Sequence, residues 1–248
     1  MFELRVRDLM SSPLIKISFS SKISDAVAKM RENKISCLPV MKDDKLKGIV
    51  FYRDIVERGA NLDQGVFQVM KPAQFILSTK GIIKLAQRMA TSKLKALPVI
   101  EAGKVVGIVS RHDLAKLIAK SEIGIKVKSV MSKPVITISK NTSLLKARSL
   151  MLENEIRRLP VVNDKLVGII TLTDIAEEVY WTGDERRLAQ PVSKIMSSPV
   201  ITVSPNDSIS LVAKLTVEND LSGLPVLEDD KLVGMITQFD LVKEVAKL

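Results

Sequence analysis

"GIITLTD", residues 168–174, is apolar and β-branched up to Thr171 and then turns polar, with an acid at Asp174. Such a run reads as a strand ending at a hydroxyl, with the carboxylate opening the next segment. The phrase recurs as "GIVFYRD" at Gly48, "GIVSRHD" at Gly107 and "GMITQFD" at Gly234, each with Asp six residues after Gly. Upstream of each copy, "LPV" begins at Leu38, Leu97, Leu159 and Leu224, its Pro eight or nine residues before the Gly. A Met stands 28 or 29 residues before each Pro, at Met10, Met70, Met131 and Met196. The chain is therefore four copies of a unit of about sixty residues, a period that decides the fold before any single element does.

Within a unit the periodicity changes in a fixed order. "PVITIS" at Pro134 is short and β-branched and predicts a strand, whereas "NTSLLKARSLMLENE" switches to helical spacing. Ile23, Ala26, Val27 and Met30 in unit one, and Ile82, Leu85, Ala86 and Met89 in unit two, fall at i, i+3, i+4 and i+7, an apolar stripe on one helix face. "RLPVVNDKLVGIIT" reads as a hairpin turning at Asn163-Asp164, and a second helix follows the Asp, as in "DIAEEVYW". The expected fold is α/β (α+β), four β-α-β-β-α units. One such unit is small for burying its own apolar faces, so the units should pair.

The composition bounds the function. At 46% hydrophobic and 27% charged the 248 residues describe a globular protein, and no apolar run approaches the roughly 18 to 20 residues of a membrane span. The opening "MFELRVRDLMSSP" lacks the apolar centre of a secretory signal, so a cytoplasmic location with no membrane contact is expected. Cys37 and His112 are the only cysteine and histidine, which leaves no internal disulfide and no Cys/His metal cluster. No Gly-rich phosphate loop or nucleophile motif is present, so the expectation is a binding protein and not an enzyme.

The net charge of +10 is unevenly spread: residues 1–121 carry 22 Lys+Arg against 11 Asp+Glu, and residues 122–248 carry 16 against 17. Such a basic half would attract nucleic acid or an acidic protein, an alternative function, although the lysines are scattered with few aromatics among them. The charge step also divides the chain into units one and two (about 6–60 and 66–120, within 1–121) and units three and four (about 126–181 and 190–248, within 122–248).

The Met-strand openings ("VMSKPVITIS", "IMSSPVITVS"), the "LPV" strands and the Gly-to-Asp endings, four times in register, resemble the cystathionine β-synthase (CBS) domain family over nearly the whole chain. The organisation is similar to that of the gamma subunit of AMP-activated kinases. The resemblance implies two pseudo-twofold modules of paired units, self-association as a homodimer, and regulation of an unidentified protein through sensing of adenine nucleotides, an energy signal. It implies no required cofactor but an adenosyl ligand in the clefts: AMP or ATP, with S-adenosylmethionine or methylthioadenosine as further candidates.

An Asp fixed at a strand-to-helix edge can accept hydrogen bonds from both ribose hydroxyls, and a Ser/Thr hydroxyl beside free helix N–H groups suits a phosphate. By resemblance, one cleft combines Met235, Thr237 and Asp240 with Val130, Ile156, Arg157 and Arg158, the arginines offering a fork for phosphate where those gamma subunits carry basic contacts. The reciprocal cleft combines Ile169, Thr171, Thr173 and Asp174 with Ile195, Leu221 and Ser222. In the first module Ser110 and Asp113 face Ile35, Ser36 and Cys37, while unit one has Phe51 in place of the hydroxyl before Asp54 and is expected not to take a nucleotide in the usual pose. The same [Ser/Thr]-x-x-Asp pattern is also a helix capping box, a purely structural reading.

Overall fold

The computed structural model describes residues 3–248. Unit one runs α1 (Val6–Leu9), β1 (Ile17–Ser18), α2 (Ile23–Glu32), β2 (Cys37–Lys42), β3 (Lys45–Phe51) and α3 (Tyr52–Glu57). Unit two contributes β4 (Lys71–Pro72), β5 (Ile76–Leu77), α4 (Ile82–Thr91), β6 (Ala96–Glu101), β7 (Lys104–Ser110) and α5 (Arg111–Ala119). Units three and four are α6 (Leu144–Glu153), β8 (Arg158–Asn163), β9 (Lys165–Thr171) and α7 (Leu172–Thr182), then α8 (Ile209–Glu218), β10 (Gly223–Glu228), β11 (Lys231–Thr237) and α9 (Gln238–Val245). Where unit one has α1, the later units have 3-10 turns at Val66–Gln68, Val127–Ser129 and Val192–Lys194.

The predicted apolar stripes are the buried faces of α2 and α4. The first helix of each unit stops at a residue of positive φ, Lys34, Lys93, Glu155 or Asp220, which folds the chain back so that the next amide bonds into the last turn, as Ile35 N–H does to the Met30 carbonyl at 2.9 Å. Two successive left-handed residues, Asp43 and Asp44, Ala102 and Gly103, or Asp229 and Asp230, turn three of the hairpins, the geometry that matches the strand twist. Unit three is one residue shorter and turns on Asp164 alone, so Asn163 is not a turn residue but the end of β8, opposite Lys165.

The expected first strand is reduced in units three and four to single parallel bridges, Ile138 to Val161 and Val203 to Val226. In all four units the Pro of this edge, Pro39, Pro98, Pro160 or Pro225, has no N–H, so in units three and four the pairing is confined to the Pro160 and Pro225 carbonyls and the amides of Val162 and Leu227. In units one and two a further bond, Phe19 N–H to Met41 at 2.7 Å and Ser78 N–H to Ile100 at 3.0 Å, extends the bridge to two-residue strands.

The opening segment of each unit is seated on the other unit of its pair. Ser11 exchanges two backbone hydrogen bonds with Ile108 in unit two, Ser132 does so with Met235, and Ser197 with Ile169, while β4 pairs with β3. This explains two repeated residues at once: a Cβ at Gly48, Gly107, Gly168 or Gly234 would lie within 2.8 Å of the thioether sulfur of Met70, Met10, Met196 or Met131 respectively. Glycine leaves room for a flexible thioether to fill the gap between paired sheets.

The two pairs meet through helices in two unlike ways. Units two and four share one continuous apolar core, in which Leu85, Leu114 and Ile118 of α4 and α5 join Val212, Leu241 and Val245 of α8 and α9, all fully buried or nearly so. Units one and three keep separate cores and meet where the six-residue α3 lies on α7. That seam is polar and aromatic: the Tyr180 hydroxyl donates to the Ala60 carbonyl at 2.7 Å, and the Trp181 indole N–H donates to the Tyr52 hydroxyl at 3.2 Å. The Arg31 guanidinium covers the Trp181 ring, 4.2 Å from its centroid.

Candidate functional site

Each repeated hydroxyl caps the helix that its Asp opens. At Thr237 the backbone N–H and the hydroxyl both donate to Asp240 Oδ2, at 2.9 and 2.7 Å, and the Asp240 amide returns to the hydroxyl at 3.4 Å. Ser110 with Asp113 is the same, and Thr171 with Asp174 forms the box with bonds of 2.8 and 3.2 Å. The capping reading is thus correct, and it occupies one carboxylate oxygen. The other meets a lysine in two of the three: Oδ1 of Asp240 lies 2.6 Å from Lys243 and Oδ1 of Asp113 3.5 Å from Lys116, while Asp174 has no ion pair among the described residues.

Val130 ends its 3-10 turn beside Met131 and Ser132, the segment bonded to Met235, and Ile195 stands likewise before Ser197, the residue bonded to Ile169. Asp174 and Ile195 line one cavity of about 370 Å³ with Ser197, Glu177 and Trp181. Ile35, Ile156 and Leu221 directly follow the helix-stop residues and pack onto the cores of their own units, so they are partly buried scaffold as well as cleft neighbours. Ser36 accepts from the Lys95 ammonium at 3.4 Å. Cys37 packs with Ile49, Phe51, Ala96 and Ile108 between the sheets, and burial pushes its thiol up to about 12, which leaves no thiolate for chemistry at neutral pH.

The two arginines do not form one fork. The Arg158 guanidinium crosses to unit four, donates to the Ser222 hydroxyl at 2.6 Å and lies over Gly223, where any side chain would collide with it. It therefore joins residues expected in two separate clefts and feels both Asp240 and Asp174; burial, then the neighbouring Arg157 charge, holds it down at about 10. Arg157 turns away to the first module, where it ion-pairs with Glu57, which also accepts from the Thr173 hydroxyl at 3.4 Å.

Several residues that the repeat pattern alone does not single out complete the centre. Arg111 of unit two donates to the Leu94 carbonyl at 2.7 Å and stacks on Phe239 of unit four, 4.2 Å from the ring centroid. It feels the Asp240 charge from the opposite module, and burial followed by the Arg53 charge holds its guanidinium at about 10. Lys95 is lowered by burial first and then by Arg53. Arg111, Lys95 and Arg158 have no carboxylate partner among the described residues. At neutral pH the guanidiniums stay charged, so the centre is a half-buried group of cations short of anions.

Unit one differs as its sequence implied, and the cause is visible. Phe51 is buried and caps nothing, and Asp54, 6% exposed, is met by the Lys71 ammonium at 2.7 Å, a close but poorly aligned ion pair. Lys71 stands where the other units have Ser11, Ser132 and Ser197. The carboxylate is thereby occupied from within. Replacing Lys71 by Ser should leave buried Asp54 with only the neighbouring Arg53 guanidinium, 3.5 Å from its other oxygen, and lower the stability by about 1 kcal/mol in urea denaturation; an unchanged midpoint would mean that Arg53 and solvent already serve this carboxylate.

Among the described residues no helix is long and apolar enough to cross a membrane, and no cluster of His, Cys, Asp and Glu could hold a metal. A CBS domain family model matches residues 6–61, 66–120, 127–180 and 192–247. The uncharacterized protein MJ1404 of Methanocaldococcus jannaschii is 32% identical over 98% of this chain, which spans 62% of that relative's length. Among solved structures, protein MJ1225 from the same organism, a proposed archaeal homologue of g-AMPK, superposes with a TM-score of 0.82 at 24% identity, covering 97% of this chain and 99% of its own. An uncharacterized conserved protein from Pyrococcus horikoshii superposes with a TM-score of 0.73 at 25% identity, over 98% of this chain and 100% of its own.

Proposed function

Because the chain belongs to the CBS domain family, we propose that it is a regulatory, non-catalytic protein that binds an adenosyl ligand between paired units, with AMP or ATP ahead of S-adenosylmethionine and methylthioadenosine. The observation that carries this reading is the Asp240 site. A carboxylate anchored at the start of α9 lies in the field of two cations, Arg158 and Arg111, that have no carboxylate of their own. Asp240 would accept the ribose hydroxyls, exchanging them for the half-exposed Lys243 ammonium, and a phosphate would supply the anion that the guanidiniums lack. The Asp174 cleft takes the second place, and the Asp54 cleft none. The output would pass to a second chain, either another copy or a regulated protein.

Thermal shift and calorimetry with AMP, ADP, ATP, adenosine, S-adenosylmethionine and methylthioadenosine test this directly. A ligand of the native state at a hundredfold excess over its Kd should stabilise it by about 2.7 kcal/mol. The nucleotides should raise the melting temperature more than adenosine does at equal concentration. No response to any of the six would remove the reading.

A further inference from the structure

Glu57 is the last residue of α3 in unit one, yet its carboxylate is used in unit three. It is ion-paired with the Arg157 guanidinium and accepts from the Thr173 hydroxyl at 3.4 Å. Its side chain is 17% exposed and that of Arg157 is 39% exposed, so the pair is half-buried and the arginine can still reach solvent. Arg157 holds the start of α7 as well, its carbonyl accepting from the Leu172 amide at 2.9 Å, two residues before Asp174. Among the described residues, then, the arginine beside one cleft of the second module is neutralised by a carboxylate from the first.

We propose that Glu57 is an internal competitor for Arg157 and sets the charge selectivity of the second module. This rests on the adenosyl-ligand reading above. A neutral nucleoside leaves the Glu57–Arg157 pair in place. A phosphate that recruits Arg157 must displace the carboxylate, so ligands gain from this arginine only by the excess of phosphate over carboxylate, and more highly charged tails gain more.

The displacement has a structural consequence. Glu57–Arg157 is the charged tie across the seam of units one and three, and without it that seam rests on the Tyr180–Ala60, Trp181–Tyr52 and Arg31–Trp181 contacts. The opposite side, the continuous core of units two and four, has no ion pair across it among the described residues and serves as the fixed edge. Phosphate binding would thereby loosen one side of the assembly only. Trp181, the single tryptophan, sits on that side and reports on it.

Glu57→Gln keeps the size and removes the charge. Calorimetry should show AMP bound about fivefold more tightly than by the native chain, with adenosine unchanged. The unliganded variant should shift its Trp181 emission toward that of the AMP-bound native chain, and Glu57→Asp, which restores the charge, should return both readouts toward native values. An equal change for AMP and adenosine, or none, overturns the competitor role while leaving the function intact. Failure of the native chain to bind any adenosyl compound overturns both.

Discussion

Replacing Asp240 by alanine should weaken AMP and adenosine alike, by about a hundredfold or more. Two hydroxyl hydrogen bonds to a carboxylate are worth about 1.5–3 kcal/mol each, and about 1.4 kcal/mol is tenfold in affinity. The same side chain caps α9 through the Thr237 amide and hydroxyl, so the variant should also lose about 1 kcal/mol of stability. The two effects separate on Asp240→Asn, which can still accept from the Thr237 amide but no longer offers a charged acceptor to ribose. Arg158→Ala should cost AMP and spare adenosine. Calorimetry on the three variants decides the assignment; if Asp240→Ala bound both ligands as the native chain does, ribose would not be held there.

The next residue gives the largest loss of stability. Leu241 is fully buried where α9 meets the helices of unit two, and Leu241→Ala should cost about 2–5 kcal/mol, the range for a large-to-small change in a packed core. Trp181→Ala on the other seam removes a ring that is 39% exposed, together with its stacking under Arg31, and should cost no more than about 1 kcal/mol. Urea unfolding followed by circular dichroism compares the two. Equal losses would mean that both sides of the assembly hold it together to the same degree.

What could be read from the sequence was local or repeated. The stripe Ile23–Ala26–Val27–Met30 is legible because helical spacing shows within ten residues, and the hairpins because each is a short-range turn. The Met and Gly positions were visible as repeats, although only their seating across the pair shows that each explains the other. The centre was less legible, because its contacts join residues far apart in the chain. Arg157 reaches Glu57 across 100 positions, and Arg111 meets Phe239 in another unit. A signal existed for some of them. Lys71 breaks a column otherwise filled by Ser11, Ser132 and Ser197, and Arg111 stands in a column otherwise held by Tyr52, Leu172 and Gln238. Comparing copies for the odd residue marks Lys71, whereas the Arg111 column has no shared residue and marks its arginine only as the one charged member. Glu57 carries no such mark, since its role depends on how the modules dock.

The seating of each opening segment on the neighbouring unit also sets an order of events on the ribosome. When residues 1–60 have emerged, α1 and Met10 have nothing to rest on, because Val6 bonds to the Lys80 carbonyl, Arg5 bridges to Gly81 and Ser11 bonds to Ile108. The helix α2 likewise waits for the Gln64 carbonyl, which accepts from Ile23. The nascent first unit can therefore close at α2 as soon as residue 64 has emerged, but it stays open at its α1 edge until nearly all of the second has been made, and the smallest piece that can close completely is a pair. In the second pair, residues 125–132 must similarly be held unoccupied until Asp207, Ile209 and Met235 leave the exit tunnel.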